Sequence, residues 1–189
     1  MSRLEQALIE IAQFLAARQV SYMVIGGIAN VVWGIPRTTL DVDITIWVAE
    51  DQLEEFTSAV TQQFVSRVED PTAFVRATRV LPLATKDGTR IDLIFGQLPY
   101  EDEAIRQAVH QTVQGVEVRV CRPEDLIIHK LVSERPKDHE DVRGIIRCQA
   151  KGLDRSYLNA RVTALAHALD RPEIQSWYQQ CLQEADASP

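Results

Sequence analysis

The stretch "VIGGIANVVWGIPRTTLDVDITI", from Val24 to Ile46, decides the fold of this chain. It opens with the apolar end of a short strand, which the pair Gly26-Gly27 stops, and a helix is expected directly after the glycines. It closes with a β-branched run that is typical of a second strand. This second strand carries two aspartates, Asp41 and Asp43, among apolar neighbours. The stretch therefore predicts a strand, a glycine turn, a helix and a strand with unusually placed acids.

The two aspartates of the second strand are separated by one residue. Side chains alternate between faces along a strand, so Asp41 and Asp43 project together while Val42 and Ile44 face the other way. Two ionised carboxylates this close repel each other, and burying them costs on the order of several kcal/mol unless a cation neutralises them. Carboxylate oxygens suit Mg²⁺ or Mn²⁺. A lone pair of this kind is also typical of the solvated face of a sheet.

A third acid, Asp92, favours the metal interpretation. It lies in "RIDLIFG", another apolar run that predicts a strand. Three acids that converge from neighbouring strands can hold two metal ions, an arrangement that activates an attacking oxygen and stabilises a leaving pyrophosphate. The sequence therefore predicts a metal site built from Asp41, Asp43 and Asp92.

The glycine pair suits a phosphate. Without a Cβ, Gly26 and Gly27 let the backbone approach a ligand closely, and the start of the following helix offers free N–H groups. A pair of glycines after a strand can also be a simple tight turn. The chain contains neither G-x-G-x-x-G nor G-x-x-x-x-G-K-[ST], which argues against a Rossmann site and a P-loop.

The rest of the chain is mixed first and helical later. Residues 3–18 read as an amphipathic helix, "RVLPLATKDGTRIDLIFG" as a hairpin that turns at Lys86-Asp87-Gly88, and a second strand pair surrounds Gln114-Gly115. This order predicts an α+β fold. Its mixed-sheet α/β core, with the N-terminal helix, takes residues 1–120, and a helical C-terminal part, residues 121–189, packs on that core.

Composition and charge exclude several classes of protein. The 189 residues carry a net charge of −7, which argues against a surface built for duplex nucleic acid, although basic residues cluster between Arg135 and Lys151. No apolar run approaches the ~20 residues of a membrane span. The N-terminus lacks the basic start and cleavage site of a signal peptide, so we expect a cytoplasmic protein without a membrane partner.

Taken together, these motifs resemble the nucleotidyltransferase superfamily with the polymerase-β-like core. Gly26-Gly27 is followed, after a gap of 13 residues, by Asp41-Val42-Asp43 and later by Asp92. The Arg-x-Thr-x-Asp-x-Asp segment from Arg37 to Asp43 looks like that of AbiEii-type toxin nucleotidyltransferases and their uncharacterised bacterial relatives. The segment "HKLVSERPKDHEDV" resembles the pattern these proteins carry after the core, with matching positions at Lys130, Arg135, Lys137, Asp138 and Asp141.

The resemblance covers roughly residues 20–145 and implies a role for each matched residue. Asp41 and Asp43 would bind Mg²⁺ or Mn²⁺, and Asp92 would be the third catalytic acid. The nucleotide-binding positions of an NTP substrate would be Gly26, Gly27, Arg37, Thr39, Lys130, Asp138 and Asp141, with Lys130 on a phosphate. Asp138 and Asp141, three residues apart on one helix, also fit simple ion pairs with Lys137 or Arg135.

Three functions are compatible with these residues. The first is a Mg²⁺-dependent nucleotidyltransferase that moves a nucleoside monophosphate from an NTP to an acceptor hydroxyl, on a tRNA 3′ end or a protein, with a cognate antitoxin as partner. The second is a nucleotidyltransferase that modifies an aminoglycoside-like antibiotic. The third is a non-catalytic nucleotide-binding or antitoxin module. An acidic cleft around Asp92 would suit a cationic drug, and a basic one would suit RNA.

Overall fold

The chain folds as two compact units. The computed structural model describes residues 1–187, so the last two residues of the helical part predicted for 121–189 lie outside the described residues. The first unit comprises Met1–Ile28 and Thr38–Cys121. The second comprises Ala29–Arg37 and the described chain from Arg122 onward.

The first unit contains a mixed sheet of seven strands. Their bounds are β1 Ser21–Val24, β2 Asp41–Trp47, β3 Val65–Ser66, β4 Val80–Ala84, β5 Arg90–Phe95, β6 Val109–Val113 and β7 Val116–Val120. The order across the sheet is β3-β4-β5-β2-β1-β7-β6. Strand β2 pairs in parallel with β5 and antiparallel with β1, so the two strands predicted to carry acids are neighbours.

Nine α-helices are present among residues 1–187. They are α1 Arg3–Ala17, α2 Gly26–Trp33, α3 Leu53–Gln63, α4 Pro71–Thr78, α5 Pro99–Arg106, α6 Pro123–Leu131, α7 Pro136–Gln149, α8 Arg155–Ala168 and α9 Pro172–Asp186. A 3₁₀ turn, Glu50–Gln52, precedes α3. Within the described residues, no helix combines the length and apolarity that a membrane crossing requires.

Aromatic residues form the core of the first unit on one face of the sheet. Phe14 of α1 and Phe95 of β5 both make edge contacts with Phe56 of α3, at ring-centroid distances of 6.2 and 5.7 Å. Phe95 alternates along β5 with side chains of the opposite face, so the aromatic contacts mark the buried face of the sheet. The other face is free to carry polar groups.

The second unit is built on α6, α7, α8 and α9. Proline opens α6, α7 and α9, where its missing N–H leaves no hydrogen bond unmade. The segment Ala29–Arg37 joins this unit through close contacts with α7. A Cβ at Gly144 would lie 3.3 Å from Ile35, and the side-chain amide of Gln149 donates to the carbonyl of Trp33 at 2.9 Å.

The predicted α+β fold with a helical C-terminal part is confirmed, and some local predictions were wrong or incomplete. The helix expected directly after the glycines begins at Gly26 and includes both of them. Helix α4 was not predicted. Asp70 caps its start with a carboxylate that accepts from the Ala73 N–H, and Arg79, in the left-handed conformation, follows its last residue. With only eight residues, α4 is too short to show a clear helical period.

Candidate active site

Three aspartates share the polar face of the central strands. Asp43 of β2 and Asp92 of β5 are direct neighbours in the parallel register, and Asp41 lies two residues before Asp43 on the same face. The residues between them, Val42 and Ile91, are fully buried on the opposite face. The structure therefore brings together all three carboxylates that the sequence singled out, and we call them the acidic face.

Gly26 lies directly against the acidic face. Its φ is +63°, and a Cβ built there would lie 1.8 Å from Oδ2 of Asp43. The backbone N–H of Ile25, one residue earlier, donates to the Asp43 carbonyl at 2.9 Å. The carboxylate of Asp43 thus occupies the space that a side chain at position 26 would need.

Gly27 has a similar relation to Thr39. A Cβ at Gly27 would lie 2.2 Å from the Thr39 hydroxyl oxygen. That hydroxyl in turn donates to Oδ1 of Asp41 at 3.1 Å. Thr39 is therefore wedged between the glycine turn and Asp41, where it orients the Asp41 carboxylate.

Asp92 experiences charges of both signs. Burial and the negative charge of Asp41 raise the pKa of the Asp92 carboxyl above its ordinary value, and Arg90 and Arg67 partly offset that rise. Neither arginine was singled out from the sequence, because each looks like an ordinary surface residue there. The first unit thus supplies a positive environment next to the acidic face.

The acidic face has the donor chemistry for a hard divalent cation. All three side chains offer carboxylate oxygens, the ligands that Mg²⁺ prefers. As the side chains stand, no three His, Cys, Asp or Glu residues within positions 1–187 are grouped closely enough to hold a metal ion. Asp41 is directed to Thr39 and Asp43 lies against Gly26. The donor types fit the ion, and rotation of at least one carboxylate would be needed to share it.

A charged cluster in the second unit brings together most of the remaining predicted residues with one that was not predicted, Ser133. The predicted members are Arg37, Lys130, Arg135, Asp138 and Asp141. The ammonium of Lys130 donates to Asp138 at 3.0 Å and to Asp141 at 2.6 Å. All three of these residues are buried, with exposed fractions of 5, 1 and 5%. Arg37 donates to both oxygens of Asp141, through Nε at 2.8 Å and Nη2 at 2.7 Å.

The charged cluster satisfies its own carboxylates. Burial alone would raise the pKa of the Asp138 carboxyl, but hydrogen bonds from Ser133 and Lys130 outweigh it, and the pKa falls to about 2. The ion pair between Arg135 and Asp138, one of those expected from the spacing, is present at 2.6 Å. The bond between Arg37 and Asp141 was not foreseen, because 104 residues separate the two in sequence.

Comparison with known proteins shows the family of the chain. A family model described as "Nucleotidyl transferase of unknown function (DUF2204)" matches residues 4–175. No curated protein sequence matches the chain at a significant level.

Several solved structures share the fold. An antigenic nucleotidyltransferase-like protein from Paracoccidioides brasiliensis is 20% identical, with a TM-score of 0.56 over 93% of this chain and 91% of that one. The lincomycin-bound lincosamide antibiotic adenylyltransferase LnuA is 13% identical, with a TM-score of 0.52 over 75% of this chain and 95% of its own. The antibiotic-resistance factor ANT(2″)-Ia is 19% identical, with a TM-score of 0.51 over 88% and 95%. At these identities the similarity is one of fold.

Proposed function

Because the chain belongs to the family of nucleotidyl transferases of unknown function (DUF2204), we propose that it transfers a nucleoside monophosphate from an NTP to an acceptor hydroxyl. The observation that carries this proposal is the acidic face, with Asp43 in register with Asp92 and in contact with the glycine turn. Phosphoryl transfer depends on positioning and on charge stabilisation, and these residues are suited to supply both.

In the proposed reaction, the acceptor oxygen attacks the α-phosphorus of the NTP. A new P–O bond forms, the bond from the α-phosphorus to the bridging oxygen of the β-phosphate breaks, and pyrophosphate leaves. Asp92 is assigned the proton of the acceptor hydroxyl. Its carboxylate is partly exposed on the sheet face, and within residues 1–187 it accepts no side-chain or backbone hydrogen bond. Asp92 therefore acts at the acceptor side of the reaction.

Asp41 and Asp43, with Asp92, would hold Mg²⁺ or Mn²⁺. Such an ion, when bound, supplies positive charge that favours the attacking oxygen and the leaving pyrophosphate. Thr39 fixes the direction of the Asp41 carboxylate through its hydroxyl. Each acidic residue thus has a defined place in the proposal, and the glycine turn keeps Asp43 in place.

The triphosphate is assigned to the start of α2. The N–H groups at Gly26 and Gly27 belong to the first turn of that helix, which favours a phosphate. By the same resemblance, Arg37 and Lys130 would contact the nucleotide, with Asp138 and Asp141 beside them. For Arg37 this requires exchange of its Asp141 partner for a phosphate oxygen. The acceptor is proposed to be a tRNA 3′ end or a protein hydroxyl, and an antitoxin a cognate partner.

The test is label transfer from α-labelled NTPs. The purified chain is incubated with Mg²⁺ or Mn²⁺, each of the four NTPs in turn, and total RNA or total protein as acceptor. We expect label on an acceptor, and a rate lower by about a hundredfold or more in Asp41→Asn and Asp92→Asn. The matched control is Asp51→Asn, an exposed acid in the turn before α3, which should keep the parent rate. Label on no acceptor, or full transfer by Asp41→Asn, would contradict the proposal.

A further inference from the structure

One line of side chains runs across the sheet from Arg67 to the acidic face. Strand β3 pairs antiparallel with β4, and just beyond it the N–H of Arg67 donates to the Pro82 carbonyl at 3.0 Å. Pro82 of β4 is the register neighbour of Asp92, which lies on β5. Asp92 in turn is the register neighbour of Asp43, which lies on β2. Register neighbours project to the same face of a sheet, so Arg67 shares its face with both acids.

A second line, next to the first, contains Arg90. Ala84 of β4 is the register neighbour of Arg90 on β5, and Arg90 is the register neighbour of Asp41 on β2. Arg90 lies two residues before Asp92, which again puts the arginine on the acidic face. Pro82 of β4, the residue between Arg67 and Asp92, has a short side chain, and no residue separates Arg90 from its register neighbour Asp41. Arg67 therefore borders the carboxylates across Pro82, and Arg90 borders them directly.

The two guanidinium groups are available to a ligand. Arg67 and Arg90 are both exposed, and within positions 1–187 neither lies at salt-bridge distance from a carboxylate. Two other arginines of the first unit differ in this respect. Arg76 pairs with Glu54 at 3.0 Å, and Arg106 pairs with Asp102 at 2.7 Å. The charges of Arg67 and Arg90 nevertheless reach Asp92, whose pKa they lower against the effects of burial and Asp41.

The arginines and the glycine turn lie on opposite sides of β2. In the sheet order, β5 and β4 follow β2 on one side, and β1 follows on the other. The turn at Gly26 continues directly from β1. A triphosphate bound at the glycines would therefore be separated from Arg67 and Arg90 by the carboxylates. In the proposed reaction, where Asp92 acts on the acceptor hydroxyl, the arginines then lie on the acceptor side.

We propose that Arg67 and Arg90 bind a phosphate group of the acceptor, close to the hydroxyl that receives the nucleoside monophosphate. This inference rests on the proposed transfer reaction and narrows its acceptor class to compounds that carry a phosphate near a free hydroxyl. A planar guanidinium binds phosphate oxygens in a forked geometry, and two of them favour an anion strongly. A polycationic drug would meet repulsion here. The chemistry fits the terminal nucleotide of an RNA, and it also fits a small sugar phosphate.

Binding assays separate these sources. The variants are Arg67→Gln, Arg90→Gln and the double change, and the matched control is Arg76→Gln on α4. The probes are a labelled single-stranded RNA with a free 3′ hydroxyl, ribose 5-phosphate and kanamycin. RNA binding is followed by fluorescence anisotropy across a salt series and binding of the small probes by calorimetry. A non-hydrolysable ATP analogue with Mg²⁺ reports the nucleotide side independently.

For an RNA acceptor, we expect each single variant to raise the RNA Kd by about three- to tenfold and to lower the salt slope by about one. Arg76→Gln should bind the RNA as tightly as the parent does. Binding of the ATP analogue should be the same in the parent and in every variant. If the arginine variants lose binding of ribose 5-phosphate but not of the RNA, the phosphate site is also supported and is assigned to a small acceptor. Phosphate binding that depends on the two arginines, in a protein that transfers no label, would reject the reaction and keep the site.

Four results would overturn the inference. The first is an equal loss of RNA binding in Arg76→Gln, which would indicate a general charge effect. The second is loss of the ATP analogue in the Arg67 and Arg90 variants, which would place the arginines on the nucleotide side. The third is kanamycin binding that is tighter than phosphate binding. The fourth is the absence of binding by the RNA and by ribose 5-phosphate to the parent protein.

Discussion

Gly26 and Gly27 each lack a Cβ where the structure has no room for one. The space above Gly26 is occupied by Asp43, and the space above Gly27 by Thr39. The sequence indicated a turn open to a ligand. The structure adds that the missing Cβ atoms also let strand β2 approach the turn closely. The hydrogen-bonding residue Thr39 belongs to the same arrangement, because its hydroxyl holds Asp41.

Replacing Gly26 should disturb the acidic face beyond its effect on the backbone. At φ +63°, Gly26→Ala adds strain of about 1 kcal/mol and also pushes the new Cβ into Asp43. Gly88→Ala is the matched control, since Gly88 has φ +87° and a Cβ added there would meet no atom within 4 Å. Urea unfolding should show a larger loss for Gly26→Ala, and label transfer should fall in that variant alone. Equal losses of stability in both variants would show that a side chain at position 26 does not collide with Asp43.

The Thr39 hydroxyl should matter through Asp41. Thr39→Val keeps the shape and removes the donor to Asp41 Oδ1, so we expect transfer to slow by about tenfold with little change in stability. Thr39→Ser, which keeps the hydroxyl, should recover most of the rate. The metal requirement is the second readout. Titration of the rate with Mg²⁺ should need a higher concentration in Thr39→Val, and an unchanged Mg²⁺ dependence would show that Thr39 acts on something other than Asp41.

At the scale of elements, α6 and α7 are joined by buried charge. Lys130 of α6 donates to Asp138 and Asp141 of α7, and Arg37 completes the pairing of Asp141. The resemblance of the sequence assigned Lys130 to a phosphate, whereas in the structure two carboxylates accept from it. The sequence also predicted a helical part over residues 121–189, which contains both helices. Which carboxylate meets which cation could not be read from it, because that depends on how the helices pack.

The charged cluster should make stability depend on acid pH. The pKa of Asp138 is about 2 in the folded chain against an ordinary 3.8, so the unfolded chain binds the proton more readily. Asp138 therefore adds on the order of 2 kcal/mol to the free energy of unfolding. This contribution is complete above about pH 4 and is lost as the pH falls toward about 2. The pKa of Asp141 is lowered too, so it acts in the same direction. Urea unfolding at a series of pH values measures the effect.

Asp138→Asn is the variant that isolates this carboxyl. It should unfold more easily than the parent near neutral pH and should show a weaker loss of stability below about pH 4. Asp51→Asn, which changes an exposed acid, should follow the parent curve. A pH profile of Asp138→Asn with the same slope as that of the parent would show that other groups control the acid sensitivity.

At the scale of the whole molecule, the compact units do not follow the order of the chain. Ala29–Arg37 belongs to the second unit although the sequence on both sides of it belongs to the first. Residue patterns indicated the strands around Asp41 and Asp92 and the late helices, because their periods are strong. They did not indicate the two-residue strand β3 or the line from Arg67, which depends on strand pairing. They also did not indicate that Ala29–Arg37 belongs to the second unit, because the residues that this segment contacts are distant in sequence.

The second unit should need Ala29–Arg37 to fold well. A fragment of residues 122–189 lacks the Arg37 partner of Asp141 and the Ile35 contact of Gly144. We expect it to melt at a lower temperature, by circular dichroism, than the same fragment with residues 29–37 fused ahead of it through a flexible linker. The control fusion carries Arg37→Gln and Ile35→Ser and should lose that gain. Identical melting of all three chains would contradict the assignment of this segment.

The parallel register of β2 and β5 also sets where the chain can change in length. Insertion or deletion of one residue within β5 would move Asp92 and Arg90 to the aromatic face and would bring Ile91 to the polar one. The turn before β5 has no such restriction, because Gly88 is surrounded by open space. Natural and engineered length variation should therefore gather in the turn and stop at Arg90, which makes this turn a suitable place to insert a tag or a reporter.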